Sequence, residues 1–158
     1  MSRFFASDDR ISVQLTDGEV AILTRVATLV RGAGIDKDDP ARARLHPSLY
    51  PDDEAASREF DRLAAKERVE ARSADRELYA ATLARASRGP IRLTPPEAAS
   101  WVRVLGEARI VLAARKGLFE AGLPTSVPSD PEVALVLLLG HLQEELVGEL
   151  LKTMEDAT

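Results

Sequence analysis

Apolar positions recur with two different periods along this chain. Residues 10–15, RISVQL, alternate, with Ile11, Val13 and Leu15 on one side as in a half-buried strand. Phe4 and Phe5 precede an Asp8-Asp9 turn, so residues 1–15 are expected to form a short β segment, a hairpin or small sheet. At Thr16 the period turns helical. Thr16-Asp17-Gly18-Glu19 has the spacing of a capping box, in which the Thr hydroxyl and the Glu carboxylate each satisfy a backbone N–H at the helix start. Val20, Leu23, Val26, Leu29 and Val30 follow on one helical face, and Gly32 and Gly34 end it.

Residues 35–52 carry Pro40, Pro47 and Pro51, which forbid one continuous helix. Leu45, Leu49 and Tyr50 supply anchors, so this stretch is expected to be an ordered irregular loop. Asp52 or Asp53 then caps a helix with Phe60 and Leu63 inward. In residues 64–77 Val69 is the single large apolar side chain. Ala71, Ala74, Leu78 and Ala81 trace a narrow apolar seam there, and Arg68, Arg72 and Arg76 form a ridge on another face. Such a polar-sided helix is expected to be solvated or to join a subunit contact. Leu78, Tyr79 and Leu83 return it to the core.

Gly89-Pro90 breaks that helix, and Ile91-Arg92-Leu93 is a candidate third strand. Thr94-Pro95-Pro96-Glu97 is a second capping box, with proline where a missing N–H costs nothing. Trp101, Val104, Leu105, Ala108, Val111 and Leu112 stripe the helix that follows, up to Gly117. After a loop over 117–129, Asp130-Pro131 opens the last helix. Its first half, VALVLLLG, is apolar all round and is expected to be the centre of a bundle. Its second half sets Leu142, Leu146, Leu150 and Met154 against Glu144, Glu145, Glu149 and Lys152. The prediction is a mainly α single domain over 1–158, a bundle of four to five helices with a small N-terminal sheet. Its expected core is Ile11, Val13, Leu23, Val26, Leu63, Leu83, Trp101, Leu105, Leu112, Leu135, Leu139, Leu142 and Leu146.

Composition narrows the chemistry. With 45% apolar and 30% charged residues in 158, the chain has material for a core. It has no cysteine, which excludes disulfides, thiolate metal sites and cysteine nucleophiles. MSRFFASDDR lacks the apolar stretch of a signal peptide. The longest apolar run, Val133 to Leu139, is seven residues, against roughly 20 for a membrane span. A cytoplasmic location is expected.

Charge is uneven around a net −5. Residues 85–116 hold seven basic and two acidic groups, and residues 117–158 hold one and eight. Two neighbouring helices with complementary surfaces explain this, as does a basic patch for nucleic acid or an acidic partner. The isoelectric point near 5.1 is far below the value above about 9 that marks nucleic-acid binders.

Two stretches carry a family resemblance. LTPPEAASWVRVLGEARIVLA is followed, after a loop, by LGHLQEELVGEL, where Trp101, Arg109, Leu142, Gln143, Glu144, Leu146 and Val147 fall on a family pattern. RLHPSLYPDD adds Leu45, Pro47, Tyr50, Pro51, Asp52 and Asp53. With the strand and capped helix at the start, the chain resembles, over nearly its whole length, the actinobacterial family called domain of unknown function twenty-seventeen. The resemblance implies a small helical bacterial protein of the cytoplasm with no established reaction. Genes of the family often lie near the Clp protease adaptor and cysteine-biosynthesis genes. Some members are called oxidative-stress transcription regulators, a reading tied to a cysteine pair that this chain lacks. His141 departs from the pattern, where the family often has an aromatic residue.

No chemical constellation is complete. His141, Glu144 and Glu145 have ligand-like helical spacing, but a di-iron bundle needs Glu-x-x-His twice and the other histidine, His46, sits among prolines. A surface pair of His141 with Glu145 is the simpler reading. Asp36, Asp38 and Asp39 would begin a calcium loop whose required glycine and glutamate are replaced by Ala41 and Pro47. Gly32-Ala33-Gly34 lacks the Gly-Lys-Ser/Thr of a phosphate loop, and no Gly-x-Ser-x-Gly occurs. The sequence therefore predicts no catalytic residue, metal or cofactor. Arg68, Arg72, Arg76, Tyr50, Asp52 and Asp53 are the candidate interaction residues, and Arg109 is expected to pair with Glu144 or Glu145. The expected function is regulatory or adaptor work through protein contacts, as a homodimer. The alternative is a transcription regulator touching DNA or RNA polymerase and its sigma factor. For that alternative the Arg68/Arg72/Arg76 ridge, with Arg85, Arg88, Arg92, Arg103, Arg109 and Arg115, is the nucleic-acid candidate.

Overall fold

The structure, a computed structural model, describes residues 2–45 and 54–156, without the side chains of residues 57 and 60–66. Strands β1 (Phe4–Ser7) and β2 (Arg10–Val13) form an antiparallel hairpin in the register Phe4↔Val13 and Ser7↔Arg10. Asp8 turns it at φ 55, in the left-handed region that aspartate tolerates. Strand β3 (Ile91–Leu93) joins the far side of β2, with Ile11 opposite Leu93, giving the order β1-β2-β3. Period two turns Phe4, Ile11, Val13, Ile91 and Leu93 onto the helices, and all five are buried.

The first helix, α1 (Asp17–Gly32), starts on the predicted capping box. The Glu19 N–H donates to Thr16 Oγ1 at 3.1 Å, and the Thr16 N–H to Glu19 Oε1 at 3.0 Å. The long helix α3 (Glu54–Leu83) runs into a 3₁₀ turn over Ala84–Arg88. Helix α4 (Pro95–Arg115) begins on the second box, with Thr94 and Glu97 exchanging bonds of 2.9 and 3.2 Å. A short α5 (Leu118–Ala121) leads to α6 (Pro131–Asp156). The protein is mainly α, with the small sheet at its N-terminus.

Residues 35–52 are not wholly irregular, because helix α2 (Ala41–Leu45) lies among them. Asp39 builds it. Its carboxylate accepts from the Gly34 and Ala41 N–H groups, both at 3.0 Å, and from Arg115 of α4 at 2.7 and 3.2 Å. Pro40 precedes the helix, where it interrupts no backbone bond. Gly34 takes φ +75, which lets the chain reverse onto that carboxylate.

The centre of the bundle is α4, not α6. Helix α4 packs on α1, α2, α3, α5 and α6 and on strands β2 and β3, whereas α6 rests on α4 and the hairpin. Trp101 of α4 is fully buried, edge-on to Phe4 at 6.5 Å and tilted against Tyr79 at 5.1 Å. Its indole N–H donates to Thr82 Oγ1 at 2.6 Å, and the Thr82 hydroxyl turns to the Leu78 and Tyr79 carbonyls. The Tyr79 hydroxyl donates to the Leu23 carbonyl at 2.7 Å, tying α3 to α1.

Of the expected core, Leu135 is partly buried and packed against the cluster, Leu63 lies outside the described side chains, and the others are buried. The predicted alanine seam of α3 faces the wrong way, since Ala71, Ala74 and Ala81 are exposed. The inward face instead carries Asp75, Arg76, Tyr79, Thr82 and Leu83.

Candidate functional site

The last helix meets the rest of the protein on two sides and leaves a third open. Val136, Leu139, Leu142 and Leu146 enter the core. About 60–100° around the helix, Glu145 and Glu149 turn to the sheet. Strand β1 is an edge strand, and an unpaired edge invites another chain. Glu149 Oε2 accepts from the Ala6 N–H at 3.0 Å, and Glu145 Oε2 from the Arg3 N–H at 3.2 Å. Both carboxylates were expected opposite the leucine face of α6, with Glu145 also a candidate partner of His141 or Arg109. The Lys152 ammonium, against burial and with the Ala6 N–H, holds the Glu149 carboxyl below its usual range. The Arg3 guanidinium bridges Glu19 of α1 and Glu145 of α6. His141 Nε2 lies 3.4 Å from Glu145 Oε1, as the simpler reading of that pair required.

On the opposite flank of α6, Val133, Leu137, Gly140, Glu144, Val147, Leu151 and Met154 repeat at alternating spacings of four and three. That is a heptad stripe, the pattern that seats one helix against another. None of its apolar members belongs to the core. Leu151 and Met154 are 52% and 60% exposed, Val147 is exposed, and Val133 and Leu137 are half-buried. The sequence reading missed the stripe because VALVLLLG is apolar all round, which conceals a second seam behind the core one. The alternating spacing through Met154 was the available signal.

One cation lies within this stripe. Arg109 of α4 reaches across Gly140, whose missing side chain makes the room: a Cβ there would stand 3.1 Å from the guanidinium Cζ, Nε and NH2. Arg109 NH1 donates to Gln143 Oε1 at 2.8 Å, and Gln143 Nε2 donates to the Val102 carbonyl at 3.1 Å. Gly106 gives Gln143 its place, since a Cβ there would meet Nε2 at 2.7 Å. The expected pairing of Arg109 with Glu144 or Glu145 is therefore replaced. Glu145 is turned to β1, Glu144 is exposed, and Gln143, the residue before them, faces α4. Among the described residues no carboxylate pairs with Arg109, and its Nε is buried without a partner.

The arginine ridge of α3 also faces inward. Arg68, Arg72 and Arg76 are half-buried. Arg76 pairs with Glu107 of α4, and Arg72 donates to the Leu45 carbonyl of α2 at 2.7 Å. The other arginines of the middle region are dispersed. Arg103 grips Asp75 at 2.8 and 2.9 Å, and its hydrogen bonds, against burial and with the Ser100 hydroxyl, hold that carboxyl low. Arg85 pairs with Glu97 at 3.0 Å, and Arg115 with Asp39. Arg88 and Arg92 are exposed and make no ion pair among the described residues. Tyr50, Asp52 and Asp53 lie outside the described residues.

A groove of about 790 Å³ runs between the β2–α1 junction and the Gly89-Pro90 turn, lined by Arg3, Gln14, Thr16 and Glu19 among others. Its Arg3 and Glu19 side chains are paired with each other. Burial raises the Glu19 pKa, but the Thr16 N–H and Arg3 outweigh it and hold the carboxyl low. No group of three or more metal-ligating side chains assembles among the described residues. No helix among them is long and apolar enough to cross a membrane.

These features define a mainly α protein, capped by a three-stranded antiparallel sheet, with a second heptad stripe on its last helix. The chain belongs to the family described as Domain of unknown function (DUF2017), which matches residues 1–150. No curated protein and no solved structure matches it.

Proposed function

We propose that this protein acts by contact with other protein chains, as a regulatory or adaptor module of the cytoplasm and not as an enzyme, and that the heptad stripe of α6 is its contact face. The observation that carries this reading is the stripe itself, an apolar seam with coiled-coil spacing on a helix whose other seam already fills the core. Full burial of a Val, Leu or Met side chain contributes about 1.5–3 kcal/mol, so covering Val147, Leu151 and Met154 is a substantial driving force for association. The test is a photo-crosslinking residue at position 151 in cells, with position 25 on the polar side of α1 as the control. Protein adducts specific to position 151, removed by Val147→Asp, are expected. Adducts no stronger at 151 than at 25 would overturn the reading.

A second reading, contact with nucleic acid or with RNA polymerase and its sigma factor, has one supporting feature. The register aligns Phe5, Ser12 and Arg92 in one row on the outer face of the sheet, with Phe5 and Arg92 exposed. An exposed aromatic ring and an exposed cation on one sheet face, two strands apart, suit a stacked base and a phosphate. Binding of promoter DNA that weakens steeply with salt and with Arg92→Glu would favour it.

A further inference from the structure

We infer that the occupant of the α6 stripe is a second copy of this chain, laid antiparallel, with Arg109 of each copy meeting Glu144 of the other. The inference rests on the reading of the stripe as a contact face and adds the identity and register of what covers it. The stripe carries two polar interruptions at its middle. One is Gly140, overlaid by the Arg109 guanidinium, and the other is Glu144, exposed one turn on. Neither makes an ion pair among the described residues. A two-fold axis level with residue 142 sets Val133 against Leu151 of the second copy, Leu137 against Val147, and Gly140 with its guanidinium against Glu144. Between Val133 and Leu151 apolar then meets apolar, and cation meets anion twice at the centre, while Met154 lies beyond this overlap, level with Asp130.

Symmetry supplies both ion pairs from a single surface, because in an isologous contact each partner presents the same patch. A parallel pairing in register would set Glu144 against Glu144 and Arg109 beside Arg109. Slipping the antiparallel register by a heptad would bury both charges against leucine and valine. Polar residues at the middle of an apolar heptad seam fix register and orientation in this way.

Sedimentation velocity of the full chain over a range of concentrations tests the inference. The natural chain is expected to form dimers. Arg109→Glu and Glu144→Arg are each expected to weaken self-association at least about tenfold, and the double charge swap to restore it. Circular dichroism checks that each variant is folded. Because Arg109→Glu disturbs the packing on Gly140, a second measurement avoids that site. The chain has no cysteine, so a mixture of Leu137→Cys and Val147→Cys chains should oxidise to a cross-linked dimer faster than either variant alone. A natural chain that stays monomeric would overturn the inference. So would a double swap no better than the single changes, or charge changes that shift melting without shifting sedimentation, which would place the pair within one chain. Adducts from position 151 to a different protein, with a monomeric natural chain, would overturn the second copy and leave the contact face standing.

Discussion

Asp39 joins three parts of the chain with one carboxylate, closing the turn after α1, starting α2 and holding Arg115 of α4. Its side chain is 7% exposed, so its removal strands buried donors. Asp39→Ala is expected to cost about 2–3 kcal/mol, read from urea unfolding, with Asp38→Ala, an exposed side chain of the same turn, near zero as the control. Thr82 works the same way in the core. Thr82→Val keeps the shape but leaves the Trp101 N–H without an acceptor, and is expected to cost about 1–3 kcal/mol and to shift the tryptophan emission. A variant as stable as the natural chain would show that the indole finds another acceptor. The two capping boxes were legible in the sequence because both partners lie within one turn. Asp39 and Thr82 were not, because their partners, Arg115 and Trp101, are brought close only by the packing of α4.

At the level of elements, β1 is held by the last helix as well as by its own hairpin. Glu149→Ala leaves the Ala6 N–H at the open edge without its acceptor. The expected result is faster hydrogen exchange at Ala6 than in the natural chain, with the β2 amides that face β3 little changed. Equal protection of Ala6 in both chains would show that the carboxylate does not seal the edge. Periodicity revealed β2, α1 and α4, each with a clean repeat and a cap or breaker at its ends, and Asp130-Pro131 with the long apolar run after it marked α6. It misplaced the inner face of α3, where arginines take positions that a pattern reader assigns to small apolar residues. Arginine serves there because Glu107 and the Leu45 carbonyl, both distant in sequence, face it. It also took α6 for the centre of the bundle. A helix apolar all round satisfies two readings, burial by its own chain or by another, and only the arrangement of the other helices separates them.

Across the whole molecule, the elements are clipped together by carboxylates that the fold keeps ionised. Glu19 ties α1 to the hairpin, Asp39 ties α2 to α4, Asp75 ties α3 to α4, Glu97 joins α4 to the turn before β3, and Glu149 ties α6 to β1. All five have pKa values below their ordinary ones, and the neighbouring guanidinium, ammonium and backbone N–H groups are the cause. A depressed folded pKa means that the unfolded chain takes up these protons first as the pH falls. Their stabilisation is therefore fully present above the unfolded values, about 3.9 for Asp and 4.3 for Glu, and is lost as the pH drops through the lower folded values. The melting temperature should be nearly flat from about pH 8 down to about pH 5.5, and should fall steeply below about pH 4.5. Asp39→Asn should lower the plateau and make the acid fall shallower, because one fewer proton is taken up on unfolding. A fall centred between pH 6 and 7 in the natural chain would place the loss outside these carboxylates, and the clip account would then be wrong.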